Sequence, residues 1–327
     1  MMGFHARSDL HHGRTAIAAL VLLGGVALAP QRASAGGTGQ GCHVLPTVTA
    51  EINAMGTYKS GTEERDPDAK AFNRQSLAGL DAFTKTIGSL GDAAMSGDAA
   101  VARCFGPAMT AWVATDPLTA PTSDQARFSQ QWSLASTALA IIKAQAGGAR
   151  IPPEVQSWLR TVSDQVRAYH DARSIKNNHA AWAALAVGAA AYILHDDDAW
   201  RWAMGREAMV TDRIRDDGVM PLELARGPRA SNYHVFTAIP LLGLNLLRRC
   251  RGGLDARQSD RMQRLEGLLD TLEANQQLLA EQASSRQLPL SAVDVVKALE
   301  GKGAPNVSMD MLGGRIDNLR ALPTRCR

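Results

Sequence analysis

Two short stretches carry side chains that can hold an anion and move a proton. The first is Lys176, Asn177, Asn178 and His179, directly ahead of the apolar run AAWAALAVGAAAYI (180–193). The second is GVMPLELARGPRASNYH (218–234), which brings Glu223, Arg226, Arg229, Tyr233 and His234. An arginine presents a planar fork of donors that fits a carboxylate, phosphate or sulfate. An amide adds further donors, while imidazole and phenol can both transfer protons. Each residue also has a plain structural reading. Asn177 makes a good helix N-cap, His179 can be a packed first-turn histidine, and Tyr233 can pack with its hydroxyl bonded. The arginines can be solvated loop charges.

The elements around these residues decide whether they meet. After a polar lead, the chain reads as helix after helix, with few alternating apolar stretches that would form strands. Helical patterns run over roughly 71–90, 97–113, 123–146, 153–172, 178–195, 197–214, 232–249, 256–283 and 291–299. TYKSGTEERDPDAK (57–70) has little apolar content and is expected to form a long loop. Residues 180–193 and 234–247 are apolar nearly all round, which predicts buried helices, and the amphipathic stretch 195–214 lies between them. Buried helix, outer helix, loop and buried helix is the order of an all-α, α/α toroid. A plain helical bundle is the competing arrangement. In a toroid the inner helices run parallel, so 177–179 and 231–234 lie at one end. Helix N-termini there favour anions.

The N-terminus has a basic head (Arg7, Arg14), an uncharged run TAIAALVLLGGVALA (15–29) and a small-residue site ASA (33–35). This pattern predicts a secretory signal peptide at 1–35, cleaved after Ala35, with one domain over 36–327. Such a protein is periplasmic or secreted. The whole chain carries a net charge of +3, and loss of three Arg and one Asp leaves about +1. That excludes a global basic field for nucleic acid, and no membrane partner is expected after cleavage. A monomer is expected. The four cysteines, 42, 104, 250 and 326, show no close metal spacing, so two disulfides are expected in an exported chain. Their pairing is open among three choices at this point.

NNHAAW (177–182), followed by GVMPLELARGPRASNYHVFTAIPL (218–241), resembles the alginate lyase family, polysaccharide lyase family five. His179 lies 47 residues before Arg226, and Arg226 seven before Tyr233, as in that pattern. The resemblance implies an α/α toroid that cleaves acidic polysaccharide by β-elimination, with Asn178, His179, Arg226 and Tyr233 as catalytic residues. It implies that loop 57–70 is a lid, with Tyr58 and Lys59 as substrate contacts. Here the order Tyr58-Lys59 departs from the family's usual Lys-Tyr. Lys176, Asn177, Arg229 and Trp182 are further candidate substrate contacts. A Cys42–Cys104 disulfide is also implied, leaving Cys250 and Cys326 as a pair.

The chemistry fits these side chains. A uronate carries its carboxylate beside the C5–H bond, and removal of that proton drives charge onto the carboxylate. Preorganised donors must neutralise it: Arg226, Asn178 and His179. A base then takes the C5 proton and an acid protonates the leaving C4 oxygen. Tyr233, with an ordinary pKa of about 10, is expected to be tuned downward by Arg226 and the helix N-terminus. In β-mannuronate the C5 proton and C4 oxygen are syn, so Tyr233 can serve as both base and acid, or His179 as base and Tyr233 as acid. No metal or other cofactor is expected.

The expected substrate is polymannuronate. Polyglucuronate is the alternative, because it differs only at C2. A non-catalytic polysaccharide-binding protein of a secretion system would retain the cleft but dispense with the phenol or imidazole. A glycoside hydrolase would need two flanking carboxylates, and only Glu223 is well placed. Glu223 is instead expected to orient Arg226 or Arg229. HDDD (195–198) is expected to cap the outer helix rather than bind metal. Trp182, Trp200 and Trp202 are candidate sugar platforms whose helical spacing also suits core packing.

Overall fold

Short acidic and polar side chains set the helix starts. Asp66 accepts from the N–H groups of Asp68 and Ala69, with Pro67 in the first turn, and so opens Pro67–Ser76 (α1). The expected loop therefore ends at residue 66, not 70. The same proline that reads as loop punctuation is well suited to a first helical turn. Leu77, at φ −101° and ψ 4°, breaks the chain before Ala78–Met95 (α2), so the single helix expected over 71–90 is two. Asp98, Ser123, Asn177, Asp196 and Asp255 cap Ala99–Val113 (α3), Asp124–Ala146 (α4), Asn178–Leu194 (α6), Asp197–Thr211 (α7) and Ala256–Ala274 (α10). Pro153–Arg173 (α5), Pro221–Leu224 (α8), Ala230–Arg249 (α9), Val293–Glu300 (α11) and Ile316–Ala321 (α12) complete the helices. Among the described residues four two-residue strands, Glu51–Ile52 (β1), Ala120–Pro121 (β2), Ser308–Met309 (β3) and Gly314–Arg315 (β4), pair β1 with β2 and β3 with β4.

This computed structural model describes residues 42–59 and 64–326. The expected signal peptide and its cleavage point lie outside the described residues, as does the tip of the expected lid, 60–63.

The helices form an α/α toroid. Inner helices α2, α4, α6 and α9 pack side by side in that order, and outer helices α3, α5, α7 and α10 return between them. Residues 180–191 are all buried, as the apolar sequence requires. The inner helices run parallel: Gly91 near the end of α2 meets Ala140 near the end of α4, and Gly188 of α6 meets Leu244 of α9. A Cβ on Gly91 would lie 2.6 Å from the Ala140 carbonyl oxygen, so glycine permits this close approach.

The C-terminal segment seals the ring opposite the inner-helix N-termini. Asp92 holds it: Oδ1 accepts from buried Lys143 at 2.6 Å and from Asn318 at 3.0 Å, and Oδ2 from the Arg315 N–H at 2.7 Å. Burial lowers the Lys143 pKa, and Asp92 opposes that shift. Asp92→Ala is expected to cost about 3–5 kcal/mol, because it strands a buried cation. Chemical denaturation measures this. Disulfides Cys42–Cys104 and Cys250–Cys326 are both formed, the second tying α9 to the C-terminus.

Candidate active site

The N-terminal ends of α4, α6 and α9 converge. Asn177 accepts from the His179 N–H at 3.2 Å, a cap that places His179 in the first turn of α6. The imidazole stacks on Phe128 of α4, with ring centres 3.5 Å apart, and Trp132 lies beside it at 5.9 Å. Phe236 of α9 closes the cluster against Trp132 and Trp182. Burial, helped by His170 and Arg226, pushes His179 down to about 3. The ring is therefore neutral at ordinary pH and, as folded, a weak proton acceptor.

Arg226 and Tyr233 meet as the seven-residue spacing requires. Arg226 Nη2 donates to the Tyr233 hydroxyl at 3.0 Å, and its guanidinium carbon lies 4.2 Å from that ring's centre. A 3₁₀ turn, Gly227–Arg229, folds the chain between them. Tyr58 reaches over from the segment that precedes α1, and its hydroxyl lies 3.0 Å from that of Tyr233. Arg226 and Arg229 both approach the Tyr58 ring, at 5.7 and 4.8 Å. Tyr58 pairs with Arg65 in an isolated antiparallel bridge. Lys59 pairs with Glu64 at 2.6 Å. Lys176 is exposed at the same end.

Two expectations need correction. Glu223 does not orient an arginine. It is 1 % exposed and turns to Asn178, accepting from the backbone N–H at 2.7 Å and lying 3.3 Å from the side-chain nitrogen. Burial raises its carboxyl to about 7. As a result, the backbone N–H that opens α6 already has its acidic partner. Trp182 cannot stack on a sugar as folded, because its indole is fully buried against Phe236. Trp200 and Trp202 sit on the outer helix against Arg251 and Arg206.

His234 is structural. Its Nε2 accepts from the Met220 N–H at 2.9 Å, and its Nδ1 lies 2.8 Å from the Ala230 carbonyl oxygen. It thereby pins the loop carrying Glu223 and Arg226. Gln287 pins the other side: its oxygen accepts from Ser231, and its nitrogen donates to Gly227 and Ser285. Sequence reading missed Gln287, Phe128 and Trp132. The last two stand four residues apart on α4, a spacing that shows a shared helix face but not what the face meets.

Of the HDDD residues, Asp196 caps α7, while Asp197 and Asp198 pair with Arg251 and Arg201. Among the described residues no three His, Cys, Asp or Glu side chains group as metal ligands.

Burial depresses His170 and His234 to about 4, alongside His179. Their folded values lie below the unfolded value, so their stabilising contribution is present above pH 6.5 and is lost as pH falls. Stability is expected to drop between pH 6.5 and 4 by up to about 1.4 kcal/mol per unit for each histidine. Denaturant midpoints across this range check the slope, and His234→Gln should reduce it.

A family model described as alginate lyase matches residues 34–279. A polysaccharide lyase of Stenotrophomonas maltophilia is 31 % identical over 286 residues, covering 82 % of this chain and 83 % of that one. An alginate lyase of Pseudomonas fluorescens is 27 % identical over 162 residues, covering 46 % of this chain and 43 % of that one. Among solved structures, a histidine-to-alanine variant of alginate lyase A1-III with a tetrasaccharide aligns at a TM-score of 0.70 and 19 % identity, over 85 % of each chain. The crystal structure of alginate lyase A1-III from Sphingomonas species A1 aligns at 0.66 and 19 % identity, covering 85 % of this chain and 86 % of that one.

Proposed function

This chain belongs to the alginate lyase family, and on that premise we propose that it is a polysaccharide lyase that cleaves polymannuronate by β-elimination. The observation that carries the reading is the Arg226–Tyr233 contact, a cation held 3.0 Å from a phenol at the mouth of the inner helices. His179 and Asn178 stand at the start of the neighbouring helix.

The chemistry follows from these groups. Arg226 and Asn178 neutralise the uronate carboxylate and stabilise the charge that builds as C5–H breaks. The C5 electron pair forms the C4=C5 bond, and the C4–O bond breaks. Tyr233 protonates the leaving C4 oxygen. The C5 proton goes to Tyr233 itself or to His179, and the syn arrangement of mannuronate allows either. Burial, which disfavours a charged His179, weighs toward Tyr233 as the acceptor. Tyr58 covers the phenol and, with Lys59, Lys176, Asn177 and Arg229, lines the approach for an anionic chain. Two disulfides agree with a location in the periplasm or outside the cell.

Polymannuronate, polyguluronate, polyglucuronate and hyaluronan are offered to the mature protein, and ultraviolet absorbance of the new double bond is followed. The fastest rise is expected with polymannuronate. A faster rise with polyglucuronate would reassign the substrate while keeping the chemistry.

A further inference from the structure

Glu223 makes a contact that elimination does not itself require. Both of its carboxyl oxygens face Asn178, one on the backbone N–H and one on the side-chain nitrogen. Both residues are 1 % exposed. Asn178 Oδ1 is also buried and has no hydrogen-bond partner among the described residues. The amide thus donates toward an acid while its acceptor is stranded, a costly arrangement in a dry site.

One proton reverses the pairing. A neutral carboxyl carries an O–H donor. A half-turn of the Asn178 amide exchanges Oδ1 and Nδ2, so that Oδ1 accepts the Glu223 proton. Glu223 Oε1 still accepts the backbone N–H, and the α6 N-terminus stays served. The amide N–H groups then occupy the buried position of Oδ1, which has no protein partner among the described residues, and a uronate carboxylate that reaches this position satisfies them. Electrostatics act in the same direction, because an ionised Glu223 behind Asn178 repels an anionic polymer.

We propose that Glu223 is a positioning residue that works as a neutral acid, donating its proton to Asn178 Oδ1 and so turning the Asn178 N–H donors to the uronate carboxylate. Substrate binding and proton uptake at Glu223 are then linked. This rests on the polyuronate reading above. Burial, which holds the carboxyl near 7, makes the proton available near neutrality. Arg226, in the same loop, is the charge that opposes protonation. From α9, the Thr237 hydroxyl is beside the carboxyl. His179 on α6 and His234 on α9 are neutral and add no charge.

The test is calorimetric. Tyr233→Phe is titrated with a mannuronate tetrasaccharide at pH 7.5, in buffers of different ionisation enthalpy. More than about half a proton should be taken up per site, as linkage to a group near pH 7 requires. In Tyr233→Phe/Glu223→Gln the tetrasaccharide should still bind, with uptake near zero. A parallel infrared difference spectrum of Tyr233→Phe should show a protonated-carboxyl C=O band appearing on binding, a readout that does not depend on the Gln variant folding. Binding without proton uptake, or uptake that survives Glu223→Gln, overturns the proposal and leaves the polyuronate reading intact. Absence of binding to mannuronate, guluronate and glucuronate oligomers alike overturns both.

Discussion

Tyr233→Phe lowers turnover of polymannuronate by about 10²- to 10⁴-fold, the range for loss of a general acid or base. The protein stays folded. The ring keeps its place against Phe236, and the hydroxyl loses its bonds to Arg226 and Tyr58. Such bonds at a half-buried position contribute about 1 kcal/mol each, too little to unfold a domain of this size. The phenol acts on the leaving oxygen as the C4–O bond breaks, so the loss falls on kcat and KM changes little. Initial rates from double-bond absorbance, with a melting curve on the same sample, measure both. An unchanged kcat would move the proton transfers to His179 and remove Tyr233 from the reaction.

Arg226→Ala is expected to cost about 10²- to 10³-fold in kcat/KM, the scale for a lost donor to developing charge. The guanidinium is placed by the 3₁₀ turn on one side and by two tyrosine rings on the other. Removing it leaves the uronate carboxylate with Asn178 alone, just when proton removal drives more charge onto it. A lysine at 226 restores the charge without the fork, so Arg226→Lys should recover part of the loss and not all of it. Steady-state kinetics of both variants on polymannuronate decide this. Equal activity of the alanine variant and the wild type would place the carboxylate elsewhere.

Much of this arrangement was legible before the fold was seen. The apolar runs 180–193 and 234–247 marked the inner helices, and the amphipathic stretch between them marked the outer one. Their order fixed which ends lie together, and hence that His179 and Tyr233 share a rim. The ends of elements were harder. NQQLLAEQA (275–283) is rich in helix formers, yet α10 stops at Ala274. Gln277 there exchanges two hydrogen bonds with the Gln287 backbone, and this tertiary pairing overrides local propensity. The same distance in sequence hid the partner of Glu223. Proximity to Arg226 along the chain suggested an ion pair, whereas the fold carries the carboxylate under Asn178, 45 residues away. Trp182 was ambiguous for a related reason. Helical spacing tells which residues share a face, but an inner helix of a toroid has no solvent face near its middle.

The most direct measurement is mass spectrometry of the oligomers released from polymannuronate by wild type and by Tyr233→Phe. Elimination predicts that wild type releases oligomers one water lighter than hydrolysis products, each with a C4=C5 bond, apart from the fragment that keeps a chain's original non-reducing end, and that the variant releases almost none. Oligomers all of full hydrolytic mass, or equal release by both proteins, would contradict the account.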